Sequence, residues 1–251
     1  MISDKFLNNI VCGDCLELMK ELPDKSIDMI LCDLPYGVTS RTDWDKQLPF
    51  DGLWAEYNRI IKDKGVIALT ATQPFASQLI CSNPKMFKYD LIWKKNKCTG
   101  FLNAKKMPLR IHESVLIFYK KTPVYNPQKT TGHKPVNKYT KNSDGTTYGN
   151  TKLGVSGGGQ TDRYPKSILD FAVVNNDSSE KIHSAQKPVL FFEYLIRTYT
   201  NENQVVLDNC IGSGTTAIAA LKSNRNFIGM EKSDKFCDLA KKRVANFSIK
   251  S

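Results

Sequence analysis

Residues 204–224, QVVLDNCIGSGTTAIAALKSN, constrain the fold more than any other stretch. An apolar run of strand length ends in an acid, Asp208, crosses two glycines and continues as a helical pattern. Gly212 and Gly214 let the backbone turn sharply and approach a ligand. The helix start then offers unpaired N–H groups and a partial positive charge. Three ligand readings compete. A phosphate loop needs a lysine after the glycines, and none is there. Gly212-x-Gly214-x-x-Ala217 fits a dinucleotide fingerprint, with Glu231 placed to hold ribose hydroxyls. Too little chain follows Glu231 for a second mononucleotide half. An adenosyl cofactor needs the same glycine turn and the same acid, but only one half-site.

The rest of the chain repeats the alternation of strand and helix. Strands are expected at 9–14, 27–33, 66–71, 88–95, 113–120, 204–210 and 226–231. Helices are expected after Asp14, over 50–65 with Gly65 as the stop, over 74–82, and over 187–200 behind Pro188. Two more follow the glycine turn and residue 233. This order predicts an α/β fold, a mostly parallel sheet with helices on both faces. The hydrophobic fraction, 41%, is enough for a real core.

Seven cysteines are scattered along the chain. MISDKFLNNI lacks the apolar core of a signal peptide, and no apolar run is long enough to span a bilayer. The thiols are therefore expected to be reduced and the protein cytoplasmic. Cys12 and Cys15 form a single C-x-x-C without a second pair, and His112, His133 and His183 share no ligand spacing. No metal is assigned.

A second constellation closes the 27–33 strand: DLPY, residues 33–36. In doubly wound sheets ligands sit outside the carboxyl ends of the strands, so Asp33 and Asp208 should face one crevice. The Asp33 carboxylate and the Leu34 carbonyl, held extended by Pro35, suit the two N–H groups of an exocyclic amine on a flat base. Tyr36 can stack on that base. A base within a duplex must first be flipped out. The formal net charge of +11 also points to a polyanion. Residues 121–182 change texture, becoming rich in Lys, Thr, Asn, Gly and Pro, without a strand or helix period. Lys134, Lys138 and Lys141 there are expected to contact phosphates, as is Lys95; Trp93 can line a nucleic-acid cleft or stack on a base, or sit in the core.

Together these motifs resemble the S-adenosylmethionine-dependent DNA amino-methyltransferases in their permuted β-type order. That family carries D-P-P-Y early and D-P-F-x-G-S-G-T-T late; here they read DLPY (33–36) and DNCIGSGTT (208–216). HSAQKP (183–188) is similar to H-P-T-Q-K-P, GDCLEL (13–18) resembles the segment whose acid reaches the cofactor adenine, and IGMEKS (228–233) matches the ribose strand. Two departures stand out: Leu34 replaces the first proline, and Asn209-Cys210 replaces Pro-Phe.

The resemblance implies a circularly permuted, Rossmann-like sheet of seven strands. Its catalytic half is residues 1–120, its target-recognition insertion 121–182, and its cofactor half 183–251. Asp33, Leu34, Pro35 and Tyr36 would be catalytic. Asp14, Cys15, Lys187, Asp208, Cys210, Gly212, Ser213, Gly214, Thr215, Thr216 and Glu231 would bind S-adenosylmethionine. The expected substrate is double-stranded DNA, and an Asp at position 33 points to the N6 amino group of adenine. The N4 amino group of cytosine, an RNA substrate, and a silent DNA-binding regulator on the same fold are the alternatives. A homodimer and a cognate restriction enzyme are further expected partners.

Overall fold

The computed structural model describes residues 1–37, 46–141, 154–175 and 186–248. Lys152, His183 and the start of HSAQKP lie outside the described residues. The strands are β1 (Asn9–Cys12), β2 (Ile27–Cys32), β3 (Ile61–Ala71), β4 (Phe87–Thr99), β5 (Arg110–Phe118), β6 (Tyr139–Thr140), β7 (Ser156–Gly157), β8 (Ile168–Asp170), β9 (Val205–Asp208) and β10 (Asn226–Glu231). The helices are α1 (Cys15–Lys20), α2 (Phe50–Ile60), α3 (Phe75–Ser82), α4 (Val189–Tyr199), α5 (Thr215–Lys222) and α6 (Asp234–Ser248). The chain divides into two compact units, residues 127–166 and the remainder. The smaller unit contains the β6–β7 antiparallel pair and a bridge between Thr130 and Arg163.

The larger unit is built on one sheet of order β1-β10-β9-β2-β3-β5-β4-β8. Strands β1, β10, β9, β2 and β3 run parallel; β5 is antiparallel to both β3 and β4. β2, IDMILC, is buried along its whole length, as a parallel strand covered on both faces must be. Helices α1, α2 and α3 contribute Leu18, Met19, Leu53, Tyr57 and Leu79 to the core on one face. Helices α4, α5 and α6 contribute Phe191, Leu195, Ala217 and Ala240 to the other. The sequence therefore folds as the expected α/β sandwich.

Three expectations are corrected. The sheet has eight strands, not seven: β8 pairs in parallel with β4, Ile92 opposite Ile168. Gly65 does not stop a helix. α2 ends at Ile60, and Ile61 already pairs with Ile27, so β3 begins five residues earlier than expected. A side chain at Gly65 would meet the Asp28 carbonyl at 2.9 Å, which is why this strand position carries none. Finally, not all thiols are reduced. Cys12 at the end of β1 is disulfide-bonded to Cys237 in α6.

Candidate active site

The carboxyl ends of β1, β10, β9 and β2 open into one cavity of about 1200 Å³. Parallel register explains their convergence. β2 lies beside β9, with Ile30 opposite Leu207, so Asp208 falls level with Leu31 and Asp33 follows two residues further toward the same end of the sheet. The cavity is lined by Asp33–Tyr36 and by every residue expected to bind the cofactor except Gly214. Gly214 caps α5 with φ +78° and sits 3.4 Å (from an added Cβ) from Ala240, away from the cavity wall.

The glycine turn is held from below. The Asp208 carboxylate is buried; it accepts the Cys210 N–H at 3.1 Å and the Thr216 hydroxyl. Burial pushes its carboxyl up to about 6. Thr215 donates its hydroxyl to the Lys187 carbonyl at 3.2 Å, and Arg243 donates to the Ser213 carbonyl at 2.8 Å. Gly229, not singled out from the sequence, lets Ile211 pack under the turn: an added Cβ would lie 2.5 Å from the Ile211 Cδ1. Beside the turn, Glu231 accepts from the Gly212 and Ser233 N–H groups at 2.9 Å each.

On the far side of the turn, Asp14 caps α1 by accepting from the Leu16 N–H at 3.0 Å. It also pairs with Lys232 at 2.9 Å, and this bond holds the Asp14 carboxyl below its usual range. The position of the family's phenylalanine is filled by thiols and an amide. Asn209 is buried, accepts from the Tyr57 hydroxyl, and lies 3.6 Å from the Cys15 and Cys210 sulfurs.

An adenosyl cofactor fits these residues. Two acceptor-only carboxylates, Asp14 and Glu231, flank a turn whose Gly212 has φ +50° and would place a Cβ in open space, 3.9 Å from its nearest neighbour. Acceptors of this kind match ribose hydroxyls and the adenine amine.

At the end of β2 the Asp33 carboxylate accepts from the Tyr36 hydroxyl at 2.7 Å and from the Thr70 hydroxyl on β3. Its other oxygen takes the Lys187 ammonium at 2.5 Å. Lys187, expected beside the cofactor, thus reaches Asp33. Burial opposes its charge, but Asp33 and Glu113 outweigh that and hold the ammonium above the ordinary lysine range. Tyr36 stacks on Phe75 with centroids 5.1 Å apart. Burial, reinforced by the Asp33 and Glu113 charges, keeps its phenol protonated. Glu113 on β5 was missed from the sequence, although an acid opening an apolar run was the available signal.

Trp93, for which the sequence left cleft and core both open, and Lys95 both line the cavity. Trp93 is only 2% exposed; it stacks on Phe191 at 4.8 Å and donates to the Phe171 carbonyl at 2.8 Å. It is a core residue whose edge borders the cavity. Lys95 is buried and ion-paired with Glu113, so its charge is already neutralised. Lys134, Lys138 and Lys141 are exposed within the 127–166 unit.

A doubly wound sheet with a glycine turn, strand-end acids and a carboxylate–proline–tyrosine corner in one cavity defines a Rossmann-like enzyme built around a nucleoside cofactor. The N6/N4 DNA methylase family matches residues 27–242, and the chain belongs to it: it is an S-adenosylmethionine-dependent DNA amino-methyltransferase. The chain is 28% identical over 276 residues to the type II methyltransferase M.HinfI of Haemophilus influenzae, covering 95% of this chain and 68% of that protein. It is 27% identical over 255 residues to the DNA adenine methyltransferase YhdJ of Escherichia coli (strain K12), covering 94% and 82%. Its fold is shared with the M1.HpyAVI–SAM complex (TM-score 0.61, 23% identity, 94% and 98% covered). The cytosine-N4-specific PvuII DNA methyltransferase shares it too (TM-score 0.69, 14% identity, 98% and 94% covered).

Proposed function

We propose that this enzyme methylates the N6 amino group of adenine, flipped out of double-stranded DNA into the cavity at Asp33. The observation that carries this reading is the position of DLPY in the same cavity as the glycine turn. When bound, S-adenosylmethionine supplies an electrophilic methyl group. The chain's own residues prepare the nucleophile. An exocyclic amine conjugated to a base is a poor nucleophile. The Asp33 carboxylate and the Leu34 carbonyl accept its two N–H groups, favour a tetrahedral nitrogen and direct its lone pair away from the ring. The buried Leu34 side chain and the fixed φ of Pro35 anchor that carbonyl. Tyr36, braced by Phe75, offers a face for the base.

Asp rather than Ser at position 33 supports adenine, and so does the similarity to YhdJ, a DNA adenine methyltransferase. The exposed lysines of the 127–166 unit serve target recognition by contacting phosphates. The deciding experiment incubates the protein with unmethylated DNA and labelled cofactor, then digests the DNA to nucleosides for mass spectrometry. Labelled N6-methyladenine is expected. N4-methylcytosine alone would overturn the adenine assignment.

A further inference from the structure

Asp33 is occupied before any base arrives. One oxygen serves Tyr36 and Thr70, and the other holds the Lys187 ammonium. In the reaction proposed above, on which this inference rests, the same carboxylate takes an N–H from an amine that becomes positive as it accepts a methyl group. An ammonium left on Asp33 would repel that growing charge at close range. It would also draw off the negative charge that stabilises it.

Glu113 offers the ammonium a second seat. Its Oε1 is tied to Lys95, which fixes the carboxylate in place. Its Oε2 is buried and accepts no hydrogen bond among the described residues, yet it lies 3.5 Å from the Lys187 Nζ. That oxygen is already in a long ion pair with Lys187, and a buried carboxylate oxygen gains from a closer one. The Lys187 backbone is held where α4 begins, its carbonyl accepting from Thr215, but four rotatable bonds separate that anchor from Nζ. A shift of well under one residue length moves the ammonium from one acid to the other without moving the backbone.

We propose that Glu113 is a positioning residue for methyl transfer: its Oε2 receives the Lys187 ammonium when the target amine displaces it from Asp33. Lys95 and Lys187 then share Glu113, and the Asp33 oxygen that the ammonium held is open to the amine N–H.

Glu113→Gln keeps the shape of the side chain and removes its charge. At saturating DNA and cofactor, kcat should fall at least tenfold. The KM for DNA and the Kd for S-adenosylhomocysteine should stay within twofold. Glu113→Asp, which keeps the charge on a shorter stem, should recover part of the loss. The double variant Lys95→Met, Glu113→Gln removes the cation that the single change strands. It should remain slow; recovery there would assign the defect to the stranded Lys95 and overturn the proposal. A structure of the wild-type protein with S-adenosylhomocysteine and a target duplex gives a check independent of folding of the variants. Lys187 Nζ should be bonded to Glu113, and finding it still on Asp33 would overturn the exchange. Wild-type transfer with Glu113→Gln within twofold of it removes this proposal alone. No transfer by the wild-type protein to any DNA removes the functional reading and this proposal with it.

Discussion

Asp33, Glu231 and Asp208 are three strand-end acids in one cavity, and their surroundings give them different work. Asp33 has polar partners on both oxygens and lines the cavity beside Tyr36. Asp33→Ala should slow methyl transfer about a hundredfold or more, the scale of losing one transition-state hydrogen bond. Lys187 keeps Glu113 as a counter-charge, so the variant should fold and bind S-adenosylhomocysteine nearly as before. Near-normal turnover would remove Asp33 from the reaction. Glu231 lines the cavity and anchors the Gly212 N–H. Glu231→Ala should weaken S-adenosylhomocysteine binding roughly tenfold to a hundredfold by calorimetry. An unchanged affinity would take it out of the site. Asp208 is structural, clamped under the turn, with its carboxyl at about 6. Its folded value lies above that of the unfolded chain, so the native state holds the proton more tightly. Its contribution to stability therefore declines as pH rises from about 4 to about 6 and is level above that. Urea titrations across this window should show that decline in the wild type and a flatter profile in Asp208→Asn. Superimposable profiles would contradict the assignment.

At the scale of elements, the lysines of the 127–166 unit differ among themselves. Lys129 is committed to Asp162 at 2.8 Å. Lys134, Lys138 and Lys141 make no ion pair among the described residues, and two of them flank β6. Replacing these three with Gln should weaken binding to all DNA sequences alike and lower the salt slope by up to about three units. Cofactor affinity should not change. An unaltered slope with weaker cofactor binding would place this unit in the cofactor site instead. The elements themselves were legible to different degrees. β2, β9 and β10 are largely apolar runs that end at Asp33, Asp208 and Glu231, and they stand where their sequence places them. β8 was hidden because three residues carry no usable period, and pairing with β4 alone makes them a strand. The early start of β3 was hidden because Ile60 and Ile61 extend the helical stripe of α2, and only the contact with Ile27 decides between them. In the site, the glycine turn and DLPY were readable as local motifs. The Lys187–Asp33 pair and Glu113 were not, since they meet across strands far apart in sequence.

Over the whole molecule, the bond from Cys12 to Cys237 spans 225 residues. Closing a loop of that length removes about 5 kcal/mol of unfolded-state freedom in the chain-entropy view. Adding a thiol reductant should therefore lower the guanidinium midpoint. Cys237→Ser should match the reduced wild type and ignore the reductant. A wild-type midpoint indifferent to reductant would argue against the bond. The sheet order has a consequence for synthesis. β1 has one neighbour, β10, and pairs with it from Asn9 opposite Ile228 onward. As the chain leaves the ribosome, the strand made first thus has no partner in the sheet until the last strand emerges. The wall of the cavity that includes Asp14 and Glu231 closes only then. The two carboxylates proposed to hold the methyl donor, made more than 200 residues apart, are therefore brought together by one strand pairing and not by any local turn.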